Sequence, residues 1–216
     1  MAIKGYIFDM DGTIVDNMDF HYKAWALFLQ KHGIALTQAE FEEKNTGTIT
    51  EIIQRIFGNS LTPQQLINLG NEKEALYRNL YANNITAISG FIPFIKHAHQ
   101  QGIKIALATM ANIHNTNLVL DALQIKPYFK AIITGEMVTL GKPNPEVFIT
   151  AMQALQLQNN EVVIFEDSPS GIAAAVAANA VLVGVCTHFT KAQCLALGVQ
   201  HAIMDYTNMP NFIAPK

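Results

Sequence analysis

Six short apolar runs, residues 6–8, 103–108, 131–133, 162–165, 181–185 and 202–204, recur along the 216-residue chain, and stretches of helical character separate most of them. Apart from Lys104 the runs are continuously apolar, the pattern of strands covered on both faces. Alternating β and α segments of this kind predict an α/β fold, a doubly wound parallel sheet with helices on either side. Half of the residues are hydrophobic and 14% are charged, enough apolar material for a substantial core and too little charge for a disordered chain.

One span breaks the alternation. Residues 17–86 hold no convincing strand, but they carry four helix signatures. Ala24, Leu27 and Phe28 have helical spacing within residues 21–31, and Gly33 supplies a stop. Thr37 and Glu40 have the spacing of a capping box, residues 49–57 form a third candidate, and Thr62-Pro63 launches a fourth helix that runs through Tyr81. Four helices between the first and second strands make an inserted cap, residues 17–86, over a Rossmann-like core formed by residues 1–16 and 87–216. The connections near residues 16–17 and 83–90 are the expected hinges.

Ligands of an open α/β sheet bind outside the carboxyl ends of its strands. Asp9 and Asp11 follow the first apolar run, and on an extended backbone residues two apart project to the same side. Two carboxylates 4 Å apart repel by about 4 kcal/mol at an effective dielectric near 20, so a cation or a shared proton must compensate. Asp-Gly turn chemistry is the plain alternative. Thr109 follows the second run, Lys142 lies between Gly141 and Pro143 downstream of the third, and Glu166-Asp167 caps the fourth. Taken singly, Thr109 and Glu166-Asp167 also read as helix caps, and Lys142 as a surface charge. Converging, four carboxylates and one lysine leave an acidic site that a hard divalent cation would bring close to neutral. Phosphate is then the anion that fits, because it also coordinates the metal.

In this order the residues resemble the haloacid dehalogenase superfamily over nearly the whole chain. Asp9-Met10-Asp11-Gly12-Thr13 looks like its first motif, Thr109 its second, Lys142 its third and Glu166-Asp167 its fourth. The insertion resembles the cap of the subgroup that contains β-phosphoglucomutase and sugar-phosphate phosphatases. The resemblance implies that Asp9 is a nucleophile that becomes an aspartyl-phosphate and that Asp11 is the acid and base. It implies that Thr109 and Lys142 hold the phosphoryl group. It also implies a magnesium site drawn from Asp9, Asp11 through its backbone carbonyl, Glu166 and Asp167. His21 and Asn112 are the further substrate-binding candidates, with Trp25 read as cap packing or as substrate contact.

The expected activity is hydrolysis of a small phosphate ester, with a sugar phosphomutase as the alternative. A mutase of this subgroup would carry an arginine near Thr50, and the segment 46–51 has none. A phospho-receiver switch shares the acid, hydroxyl and lysine arrangement, but it has no use for a lid of this size. The net charge of −3 and the scattered 14 Lys and Arg residues argue against nucleic acid. The weakly polar stretch 171–186 is too short to span a bilayer, and the start lacks the pattern of a secretion signal, so a cytoplasmic location is expected. No sequence feature indicates a protein partner. Cys186 and Cys194 read as buried thiols.

Overall fold

The computed structural model describes residues 3–210. Six parallel strands, β1 (Gly5–Phe8), β2 (Lys104–Ala108), β3 (Ala131–Ile133), β4 (Val162–Glu166), β5 (Val181–Val185) and β6 (His201–Ile203), form one sheet in the order β3-β2-β1-β4-β5-β6. The order reverses at β1, which pairs with β2 on one side and β4 on the other. The strand that ends in Asp9 therefore stands at the topological switch point, where the crevice of such a sheet opens.

Alternate residues of β1 explain why the apolar runs are unbroken. Tyr6 and Phe8 enter one buried cluster, with Phe91, Phe94 and Ile95 of α5 (Phe91–Gln100) and Val119 and Leu120 of α6 (Ile113–Ala122). Ile7 enters the other, with Val147, Phe148 and Ala151 of α7 (Glu146–Leu155) and Ile172 and Ala175 of α8 (Pro169–Ala177). Stacked and edge-on rings reinforce the first cluster: Phe8 lies parallel to Phe165 at 4.6 Å and edge-on to Phe91 at 5.3 Å. The two cysteines sit in the second cluster, Cys194 on α9 (Lys191–Ala196), both buried with their sulfurs 3.3 Å apart.

Between β1 and β2 the chain forms α1 (Met18–Lys31), α2 (Gln38–Lys44), α3 (Ile49–Phe57) and α4 (Pro63–Tyr81), the inserted helical cap. The capping box of Thr37 with Glu40 forms as read, the cap at Thr62 is a capping box with Gln65, and the structure adds a third, Thr48 with Glu51. The cap has its own core of Trp25, Phe28, Leu29, Phe41, Ile52 and Ile53. The first helix starts three residues earlier than the periodicity suggests, at Met18. Asn17 occupies its N-cap position, yet its side chain makes no cap bond. No helix among the described residues is long and apolar enough to cross a membrane.

Phe28 is fully buried between Trp25 and Phe57. Phe28→Ala is expected to destabilise the cap by about 3–5 kcal/mol, the usual cost of an emptied aromatic site. Trp25 is the chain's single tryptophan and lies in this cluster, so denaturant unfolding followed by its fluorescence reads the cap directly.

Candidate active site

The backbone ladders deliver the functional side chains. The N–H of Asp9 donates to the carbonyl of Phe165, extending the β1–β4 pairing by one residue, and the N–H of Thr109 donates to Ile133 beyond β2–β3. Both side chains therefore emerge from fixed strand ends, beside Glu166, the last residue of β4. Lys142 comes from the loop before α7 and crosses beneath them. Its Nζ stands 2.6 Å from Asp9 Oδ1 and 2.7 Å from Glu166 Oε1, and it donates to the carbonyl of Ala108 at 3.3 Å. All of these side chains are buried. The surface-charge reading of Lys142 is thereby set aside, because a lysine that is 4% exposed and doubly paired has no role in solvation.

Asp167 joins them. Asp9, Glu166 and Asp167 each offer an oxygen within 4.8 Å of the others. Thr13 Oγ1 donates to Asp167 Oδ1 at 3.0 Å, and the N–H and hydroxyl of Ser168 both donate to Glu166 Oε2. Two glycines make room for this crowding. Gly12 turns the chain at φ +83°, and a Cβ there would overlap the Asp167 carboxylate; a Cβ on Gly171 would overlap Glu166. Three buried carboxylates sharing one ammonium are short of positive charge, and hard oxygen donors in that number suit a divalent cation. Burial, with Glu166 and Asp11 nearby, outweighs Lys142 and pushes the Asp9 carboxyl up to about 8. Burial and the neighbouring Glu166 and Asp9 raise Asp167 as well.

Asp11 lies in the same cavity but has different partners. Asn17 Nδ2 donates to its Oδ1 at 2.6 Å and also to the Tyr77 hydroxyl at 2.6 Å, which is why Asn17 does not cap α1. His21 Nε2 stands 3.6 Å from Asp11 Oδ2. The His21 ring stacks on Tyr77 at 3.8 Å, and its Nδ1 receives Lys73 Nζ at 3.1 Å. An ammonium can only donate, so the ring proton of a neutral His21 sits on Nε2 and faces Asp11. Burial pushes the Asp11 carboxyl up, but His21, Asn17 and Lys73 together hold it below the ordinary carboxylate value.

These residues line one cavity of about 200 Å³ between cap and core, together with Trp25 and the polar side chains Lys73, Glu74 and Asn115. Asp9, Asp11, Thr109, Lys142, Glu166, Asp167 and His21 all reach it. Asn112 does not. Its side-chain oxygen accepts from the N–H of Asn115 and caps α6, and Asn115, one turn further on, lines the cavity in its place. Thr109 is correspondingly released from capping; its hydroxyl accepts from the N–H of Ala111 at 3.0 Å. Thr13 belongs to the first motif without a role of its own there, Lys73 is one of the cap cations whose direction helix spacing leaves open, and Glu74 has no mark in the sequence. Lys73 and Glu74 lie in the buried stripe of α4, residues 70, 73, 74, 77 and 81, where two charges interrupt an inward face that tertiary packing selects.

The chain is similar in sequence and in fold to known proteins. A family model described as haloacid dehalogenase-like hydrolase matches residues 6–185. Hexitol phosphatase A of Escherichia coli is 27% identical over 187 residues, spanning 86% of this chain and 84% of that one. Fructose-1-phosphate phosphatase YqaB of the same organism is 29% identical over 174 residues, 81% of this chain and 92% of that one. Among solved structures, β-phosphoglucomutase from Clostridium difficile superposes with a TM-score of 0.83 at 26% identity, covering 97% of this chain and 94% of the other.

A cation that binds the acidic cluster must displace the proton that burial retains there. Titration of magnesium at pH 7 in buffers of different ionisation enthalpy is expected to show release of about one proton per ion, fading as the pH rises through about 8. Binding heats that do not depend on the buffer would mean that the cluster is already fully ionised.

Proposed function

Since the chain belongs to the haloacid dehalogenase-like hydrolase family, we propose that it is a magnesium-dependent phosphatase of small phosphorylated sugars or polyols, working through an aspartyl-phosphate on Asp9. The observation that carries this reading is the buried group of Asp9, Glu166 and Asp167 around one lysine, with the Thr109 hydroxyl and Asp11 opening on the same cavity. Magnesium held by Asp9, the Asp11 backbone carbonyl, Glu166 and Asp167 would supply the positive charge that lets one anion approach another.

The chain's own groups divide the remaining work. Asp9 attacks phosphorus, which splits one difficult displacement into two steps. Lys142 and the Thr109 hydroxyl hold the phosphoryl oxygens, Lys142 from its place beside Asp9. Asp11 protonates the departing oxygen and later takes a proton from the water that hydrolyses the acyl phosphate. In the free protein its carboxyl is held low by donors from the cap. A phosphate dianion beside it raises its proton affinity at the moment when an acid is needed. His21, with Nε2 3.6 Å from Asp11 Oδ2, positions it through electrostatic attraction. The cap, residues 17–86, shields the cavity, and we take the segments near 16–17 and 83–90 as its hinges.

The structural likeness to a β-phosphoglucomutase supports a second reading, transfer of the phosphoryl group within a sugar phosphate. A mutase must hold a second phosphate while the first moves. Thr50 occupies the place where an arginine would serve, and its hydroxyl pairs with Thr48 at 3.1 Å. The nearby Arg55 is spent on the carbonyls of Lys44 and Thr46. Hydrolysis is therefore favoured. The two relatives named for phosphatase activity carry substrates of the proposed class in their names.

Incubation with magnesium and a panel of sugar and polyol phosphates, scored for both free phosphate and isomerised ester, is expected to give free phosphate; isomerisation without release would reverse the choice. Asp9→Asn should remove turnover while far-UV circular dichroism stays native, because the amide cannot attack. Asp11→Asn should lower kcat by about 10²-fold or more. Full activity in either variant would reassign the role.

A further inference from the structure

Away from the phosphoryl end, the polar residues that line the cavity include Lys73, Glu74 and Asn115. Lys73 is 2% exposed. Its ammonium donates to Glu74 Oε1 at 2.8 Å, contacts His21 Nδ1 at 3.1 Å, and lies 5.0 Å from the ring centre of Trp25 and 5.7 Å from that of Tyr77. The other oxygen of Glu74 accepts from the side-chain amide of Asn115 on α6, and the carbonyl of that amide accepts from Arg78 Nη1 at 2.8 Å. Glu74 and Arg78, one turn apart on α4, thus grip both ends of a single amide from the core. Glu74 is fixed by partners from cap and core at once.

We propose that Glu74 closes this half of the cavity to a second anionic group, by holding Lys73 as its ion-pair partner, so that the enzyme takes sugar or polyol monophosphates with a neutral far end. The inference rests on the phosphatase reading and narrows its substrate class. Among the described residues lining the cavity, the only lysines are Lys73 and Lys142, and Lys142 serves the phosphoryl end, beside Asp9 and Glu166. A second phosphate or a carboxylate at the far end would have to take Lys73 from Glu74. That would strand a buried carboxylate beside the incoming anion, the arrangement a low-dielectric site tolerates least. A hydroxyl meets no such obstacle, because it donates to Glu74 or accepts from Lys73 without separating them. Specificity of this kind comes from a repulsive element as much as from an attractive one.

The pair D-glucitol 6-phosphate and 6-phospho-D-gluconate tests this, since the two differ only in a terminal hydroxymethyl group against a carboxylate. With the full chain and magnesium, kcat/KM from phosphate release is expected to favour the neutral-ended ester by about tenfold or more in the wild type. Glu74→Gln keeps the shape and one acceptor but frees Lys73, and the preference should shrink about fivefold or more. Equal rates in the wild type, or an undiminished preference in a natively folded Glu74→Gln, would overturn the inference while leaving the phosphatase reading intact. Should the variant fail to fold, the wild-type ratio still decides. A wild type that releases phosphate from neither of these esters nor any other in the panel would overturn the phosphatase reading, and this inference with it.

Discussion

One buried ammonium holds the catalytic end of this protein together. Lys142 reaches from the loop before α7 to two carboxylates that arrive from different strands, Asp9 beyond β1 and Glu166 at the end of β4. Without it, three acids packed within 4.8 Å would carry uncompensated charge in a region closed to water, and repulsion of several kcal/mol per pair would open the strand ends. Its environment reflects that demand. Burial alone would depress a lysine, but Asp9 and Glu166 raise its proton affinity above the ordinary value, so it stays charged at every physiological pH. The same ammonium lies 4.8 Å from the Phe148 ring centre, which seats the cation on α7.

The rest of the architecture supplies space and stiffness around that ion pair. Glycine appears where two segments must come closer than any side chain permits. Gly12 and Gly171 admit Asp167 and Glu166, and Gly141, beside Lys142, lies where a Cβ would stand 2.5 Å from the Gly47 backbone of the cap. That last contact ties the position of the cap to the lysine loop, as does Glu51, whose Oε2 accepts from the N–H of Thr48 at 2.6 Å and of Gly141 at 3.4 Å. A capping-box carboxylate thus serves its own helix and the cap–core seam together.

Much of this was legible in the chain because it follows from local rules. Continuous apolar runs locate doubly covered strands, and Thr37 and Thr62 mark helix starts through side-chain chemistry confined to four residues. The strand-end acids were legible because the sheet's geometry sends all strand ends to one edge. Helix rotation was not. Nothing local states which face of α4 turns inward, so Lys73 and Glu74 read as ordinary charged positions until tertiary packing buries them. Asn112 and Asn115 show the same limit. Either could cap or line the cavity, and one turn of α6 decides it. Asn17 departs from its local role because its Nδ2 donates to the Asp11 carboxylate and the Tyr77 hydroxyl, both at 2.6 Å, which orients the amide so that its oxygen does not cap the helix N–H groups.

Asp9 and Asp11 differ in chemistry although they share a residue type and a cavity and are separated only by the buried Met10. Asp9 is surrounded by core atoms and other acids, and its proton is held tightly for want of a second cation. Asp11 takes its partners from the cap side: Asn17 at the entry to α1, His21 on α1 and, through His21, Lys73 on α4. Its proton affinity is therefore a property of how the cap sits, whereas that of Asp9 is a property of the core. Movement of the cap away from the sheet would strip Asp11 of donors and leave Asp9 nearly unchanged. In the proposed reaction, inserting the helices between these acids and the second strand would couple Asp11, as acid and base, to closure over the ligand, and would keep Asp9, as nucleophile, on the rigid sheet.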